Sequence, residues 1–145
     1  MAAVQCSVAS LRIMGDDLLP DEVSRLLGRV PTHSEFKGQE ITGRRSGHKR
    51  IAKAGMWRIE ASRCEPEDLD GQVTEILALL SDDLTAWRSL SERYRIDLFC
   101  GLFLGSGNEG LSLSPPTLIA LGCRGIELGL DIYGPDDEND TKPCE

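Results

Sequence analysis

The sequence predicts an α+β domain: a small, mostly antiparallel sheet with helices on one face, ferredoxin-like or built from two βαβ-like halves. Three observations carry that expectation. Residues 95–104 and 126–133 alternate their side chains with strand period. Residues 69–80 instead repeat apolar side chains at helical spacing. Gly, Pro and Asp clusters separate these segments into a β-α-β-α-α-β-β-α-β order, and 145 residues suit one domain.

Residues 4–14, VQCSVASLRIM, form the first expected strand. Val4, Cys6 and Val8 fall on one phase and Leu11 and Ile13 on the other, so a bulge or change of face is expected near Ala9–Ser10. After a Gly15-Asp16-Asp17 turn, Pro20, Asp21 and Glu22 open a short helix, with Val23, Leu26 and Leu27 as its stripe and Gly28 as its stop. Residues 37–55 hold Gly38, Gly43, Gly47 and Gly55 and little apolar content, which predicts a flexible basic loop. Met56–Ala61 is a strand with Trp57, Ile59 and Ala61 on one face. A helix follows from Leu69 to Leu80, and Ser81-Asp82-Asp83 caps the next, whose inward residues are Leu84, Trp87 and Leu90.

Arg95–Leu104 is the strongest strand. Ile96, Leu98, Cys100, Leu102 and Leu104 share one face, and Phe99 and Phe103 on the other indicate partial cover there too. Gly105–Gly110 is a turn and Leu111-Ser-Leu a short partner strand. Pro115-Pro116 opens a helix through Leu121. In the last strand Ile126, Leu128, Leu130 and Ile132 alternate with Glu127, Gly129, Asp131 and Tyr133. The domain spans 1–134, and residues 135–145 read as an acidic disordered tail.

The totals exclude several classes. At 40% hydrophobic and 28% charged the chain is globular, and aromatics at 5% leave the core to Leu, Ile and Val. No apolar run approaches the ~20 residues a membrane helix needs, and the start MAAVQCSVASLRIMG lacks signal-peptide character. No membrane association is expected, and the cytoplasm is the expected location. Five dispersed cysteines, Cys6, Cys64, Cys100, Cys123 and Cys144, do not form a disulfide framework; the first four read as free buried thiols.

The formal net charge is -8, yet Lys37–Lys53 holds six Lys or Arg against the single acid Glu40. Gly38-x-x-x-x-Gly43-Arg44-Arg45 fails as a phosphate loop, because the Lys and the Ser or Thr that such a loop needs are both replaced by Arg. Arg44, Arg45, Lys49 and Arg50 are candidate phosphate contacts for nucleic acid. That partner is disfavoured, since stacking aromatics are missing from the segment and the rest of the chain repels a polyanion. Gly105-Ser-Gly107-Asn-Glu-Gly110 is a literal GxGxxG with Asp131 beyond it, but no helix opens there to receive a pyrophosphate.

Asp16-Asp17 reads as a solvated turn, and His33 and His48 have no ligand-spaced neighbours, so no metal site is expected. No cofactor is expected either. Cys100 lies mid-strand, where burial silences a thiol. No catalytic residue set is visible, and the expectation is a non-enzyme.

Several segments together carry a likeness: LRIMGDDLLPDEVSRLLGRVPT, KG, GMWRIEASR and DLFCGLFLGSGNEGLSLSPPTLIALGCRGIELGLDIYG. They resemble a bacterial family, the domain of unknown function DUF4279, over Val8–Gly134, with a departure at Leu19 where the family pattern often has a polar helix cap. The resemblance implies a small, stand-alone, bacterial cytosolic protein, and it implies no reaction. By fold analogy it suggests an immunity protein that neutralises a toxin.

Three functions are therefore weighed. The first is a non-catalytic protein-binding domain, most concretely an immunity protein that meets a basic toxin domain with an acidic surface, as monomer or weak dimer. Its candidate contacts are Asp97, Glu127 and Asp131 on the sheet and Asp82 and Asp83 at a helix start. The second is a small regulatory ligand-binding domain whose pocket is lined by Trp57, Phe99, Phe103 and Tyr133, with Asp131 as polar anchor. The third is nucleic-acid binding through loop 37–53.

Overall fold

The structure, a computed structural model, describes residues 2–135. The expected tail lies, from residue 136 on, outside the described residues. The elements run β1 (Cys6–Gly15), α1 (Pro20–Leu27), β2 (His33–Glu35), β3 (Glu40–Thr42), β4 (Lys49–Ile51), β5 (Gly55–Glu60), α2 (Leu69–Ala78), α3 (Leu84–Arg93), β6 (Arg95–Phe103), α4 (Pro115–Cys123) and β7 (Glu127–Tyr133). Five strands form one sheet in the order β2-β5-β1-β6-β7, antiparallel except for the β6–β7 pair. The fold is α+β with helices on one face, as expected. Only β6-α4-β7 is a parallel crossover; β1-α1-β5 closes antiparallel, so the two halves do not repeat.

β1 organises the sheet, and it does so without the expected change of face. Its register runs unbroken from Cys6–Phe103 to Met14–Arg95 against β6, and from Ser10–Glu60 to Gly15–Gly55 against β5. Ser7, Ala9, Leu11 and Ile13 all point to the helices and are buried. Ser7 hides the pattern in the sequence because it is a polar residue in a core slot. Its hydroxyl donates to Gln72 Oε1 at 2.7 Å, and Gln72 Nε2 donates back to the Ser7 carbonyl at 3.0 Å. Both buried polar groups are thereby satisfied.

The helices start and stop where their residues dictate. Pro20 opens α1, and Gly28, at φ 74°, closes it in the left-handed region that a Cβ disfavours. Asp68 accepts from Gly71 N–H to cap α2, and Asp83 accepts from Thr85 N–H to cap α3. Trp57 and Trp87 are fully buried, and their indole N–H groups donate to Ser24 Oγ and the Ser81 carbonyl. Leu84, expected inward, is exposed at the first turn of α3, and Ala86 is buried beside Trp87 and Leu90.

Four further expectations change. Residues 37–55 are not a structureless loop: β3 and β4 pair as a hairpin, Glu40–Ile51 to Thr42–Lys49. β2, absent from the sequence reading, pairs with β5 as a short edge strand. Leu111-Ser-Leu forms no strand, and the chain there makes one isolated bridge, Ala3–Gly110. Among the cysteines, Cys64, Cys100 and Cys123 are free, with only Cys100 of these buried, whereas Cys6 is disulfide-bonded.

Candidate functional site

Among the described residues every helix packs on one side, and no described helix covers the other face of the sheet. The strand registers place Val8, Ser10 and Arg12 of β1, Arg58 and Glu60 of β5, Asp97, Phe99 and Phe103 of β6, and Glu127, Asp131 and Tyr133 of β7 on that face.

Arg12 is its centre. Nε donates to Asp97 Oδ1 at 2.8 Å and NH2 to Oδ2 at 2.6 Å, a two-pronged pair, while the guanidinium carbon lies 4.4 Å over the Phe99 ring. The hydrogen bonds from Asp97 outweigh the effect of burial and hold the Arg12 guanidinium above its ordinary pKa. Arg58, opposite Arg12 in register, has its Nε 3.1 Å from Glu60 Oε1, yet that buried nitrogen makes no hydrogen bond. Arg63 donates Nε to Cys6 Sγ at 3.3 Å and NH2 to Glu65 at 3.1 Å. Arg12, Arg58, Arg63 and Phe99, with Val8 and Ser10, line a shallow basin of about 420 Å³.

Beside the basin, Phe103 and Tyr133 stack in parallel, their centroids 4.8 Å apart. Tyr133 donates its hydroxyl to Asp131 Oδ2 at 2.6 Å, and that bond raises the phenol pKa. The face thus offers guanidinium, phenyl and phenol groups fixed by neighbours. Two free thiols elsewhere are quiet: burial pushes Cys100 up to about 12, and burial with Asp68, Glu75 and Glu67 raises Cys64. Among the described residues no group of three His, Cys, Asp or Glu could hold a metal ion, and no helix is long and apolar enough to cross a membrane.

The residues expected at a site separate. Phe99, Phe103 and Tyr133 do share the open face, but Trp57 does not: its odd register position sends it into the core beneath α1. Asp97, expected to face solvent, is 3% exposed and serves as the partner of Arg12. Glu127 lies 3.7 Å from Arg95 at the edge of the face, with Asp131 on the same strand. Asp82 and Asp83 are exposed at the α2–α3 turn in the helix layer, so the five acids form no single surface.

The basic residues separate as well. Arg44 and Arg45 are exposed in the hairpin turn, Lys49 pairs with Glu40 at 3.2 Å, and Arg50 reaches back to Glu35 of β2. Sequence reasoning missed the arginine cluster of the open face. Its available signal was Arg12 between Leu11 and Ile13, a charged residue at the outward phase of a central strand.

A two-layer α+β fold, a mostly antiparallel sheet with helices on one face, is the class these features define. The chain belongs to the family described as a domain of unknown function, DUF4279, whose model matches residues 4–135. No curated protein and no solved structure matches the chain.

Proposed function

We propose that the protein is a non-catalytic protein-binding domain that docks its partner on the helix-free face of the sheet, most concretely an immunity protein neutralising a toxin domain. The observation that supports it best is the exposure of Phe99 among the guanidiniums of Arg12, Arg58 and Arg63, with exposed Tyr133 further along the same sheet face. Aromatic and arginine side chains held in one conformation are the residues that dominate protein interfaces, because little entropy is lost when they are covered. The chain's net charge of -8 draws a basic partner, and Glu60, Glu127 and Asp131 on the same face are the carboxylates it would meet. The acidic contact is therefore assigned to these three rather than to Asp97, Asp82 or Asp83. In this reading the protein works in the bacterial cytoplasm and has no catalytic role.

Affinity capture from the native cell, eluted along a salt gradient, tests it. Wild type and an Arg44→Ala/Arg45→Ala variant should both retain one stoichiometric protein at high salt. Phe99→Ala and Tyr133→Ala should each weaken that complex by roughly 2 kcal/mol. Nucleic acid released at modest salt, and lost in the Arg44→Ala/Arg45→Ala variant, would overturn the proposal in favour of the basic hairpin.

A second reading, a small regulatory ligand-binding domain, is favoured by one observation: the basin of about 420 Å³ is lined by Arg12, Arg58 and Arg63, guanidiniums that suit a small carboxylate-bearing molecule. Thermal stabilisation by one member of a metabolite panel, abolished by Arg58→Ala, would select it.

A further inference from the structure

The sheet ends on a strand that nothing in the described residues covers. β7 is hydrogen-bonded to β6 on one side only. Its seven residues, ELGLDIY, contain no lysine and no proline, the residues that usually keep an edge strand from pairing. The opposite edge, β2, is only three residues long. On the helix side of β7, Leu130 is 45% and Ile132 58% exposed, and neighbouring α4 adds Leu118 at 51%. The crossover helix is too short to roof the strand: α4 buries Thr117 and Leu121, and the far half of β7 is left open.

The backbone is set for a partner. The Tyr133 carbonyl accepts from Leu104 N–H at 3.0 Å, so the odd residues of β7 send their peptide groups to β6. Leu128, Leu130 and Ile132 therefore direct their N–H and C=O groups outward, along the free edge.

We propose that this edge pairs with β7 of a second copy, antiparallel about a two-fold axis at Leu130, joining two five-stranded sheets into one. The sequence of β7 selects both the occupant and the register. Centred on Leu130, the strand overlaps itself over all seven residues: Leu130 faces Leu130, Leu128 faces Ile132, Gly129 faces Asp131 and Glu127 faces Tyr133. Every helix-side pair is apolar, and no acid opposes an acid. The two neighbouring centres fail on charge, since a two-fold at Gly129 sets Glu127 opposite Asp131 and one at Asp131 sets that carboxylate opposite itself. Peptide groups agree as well, because the outward-pointing residues 128, 130 and 132 meet one another whenever the two-fold passes through a residue rather than between two. An isologous contact of this kind closes at two copies and leaves no further edge of the same type. It involves the edge and the helix-side row, and it does not rest on the docking face proposed above.

Sedimentation velocity of the full chain across a concentration series, at low and at raised salt, tests the pairing. Wild type should show a monomer–dimer equilibrium that strengthens with salt, because each copy carries a net charge of -8. Leu130→Lys and, separately, Ile132→Lys should remain monomeric where wild type is dimeric, with unchanged melting, since both side chains are exposed. Mixing Leu130→Lys with Leu130→Glu should restore the dimer, because only in this register does position 130 face itself.

Wild type that stays monomeric throughout overturns the proposal and leaves the edge to a different partner. A dimer that survives both lysine variants overturns it in favour of another interface. Lysine and glutamate variants that fail to complement each other overturn the register.

Discussion

Asp97 is shielded from water and accepts both of its hydrogen bonds from Arg12, so its charge depends on one partner. Removing either member strands the other in a poorly hydrated place. We expect Asp97→Ala to cost about 3 kcal/mol, the lower end for a buried pair because Arg12 is partly solvated. In a double-mutant cycle followed by urea denaturation, Arg12→Ala/Asp97→Ala should cost less than the two single variants summed. Asp131→Ala, at the exposed Tyr133 hydroxyl, should change stability by less than ~0.5 kcal/mol. Equal losses at both aspartates would contradict this division. Glu35 gives the pH-dependent case. Burial alone would raise its carboxyl, but hydrogen bonds from Arg50 and His33 prevail and hold it below the ordinary carboxylate range. A carboxyl with a depressed folded pKa contributes stability above its unfolded pKa, ~4.3, and loses that contribution as pH falls through the folded value. The stability deficit of Glu35→Gln should therefore be largest near neutral pH and shrink on acidification, as read from urea midpoints at several pH values. A deficit independent of pH would assign Glu35 a packing role instead.

At the level of elements, two adjacent acids take different roles. Asp83 caps α3 through Thr85 N–H at 2.9 Å, whereas Asp82 is exposed beside it. Asp83→Ala should cost ~1 kcal/mol and Asp82→Ala almost nothing, measured by thermal unfolding. Equal effects would mean that charge at the helix start, rather than the cap bond, matters. The same contrast explains what was legible in the sequence. α1, α2, α3, β5, β6 and β7 were, because their apolar spacing records which side chains meet the core. β2 and the β3–β4 hairpin were not, since their pairing lies in backbone hydrogen bonds that leave no apolar period: His33-Ser34-Glu35 and Lys49-Arg50-Ile51 read as loop. β1 was located but given a false change of face, because the buried Ser7–Gln72 pair occupies a core position with polar atoms. For the open face, the even spacing of Phe99 and Phe103 was informative. Arg12, Arg58 and Arg63 come from three separate places in the chain, and only strand register unites them.

Considered whole, the molecule is a helix-covered sheet to which the basic hairpin is a side attachment. The hairpin closes on itself at its base, where Gln39 and Ala52 are joined by Ala52 N–H to the Gln39 carbonyl and Gly38 N–H bonds to Ala52. Its ion pair to the domain is Arg50 to Glu35. Residues 40–51 should therefore be removable without loss of the fold. Joining Gln39 to Ala52 through two glycines gives a tight turn across a gap the backbone already spans. Loss of Arg50 would leave the buried Glu35 carboxylate with His33 in place of its guanidinium partner, so the excision is combined with Glu35→Gln, which keeps hydrogen-bonding capacity without the charge. We expect the shortened chain to unfold in one cooperative transition with a midpoint within several degrees of wild type, the shift that ~1 kcal/mol produces in a domain of this size. It should also capture the same partner as the full chain, because the helix-free face contains no hairpin residue. A shortened chain that folds but loses the partner would transfer the function to the hairpin, and one that fails to fold would show that the hairpin belongs to the core.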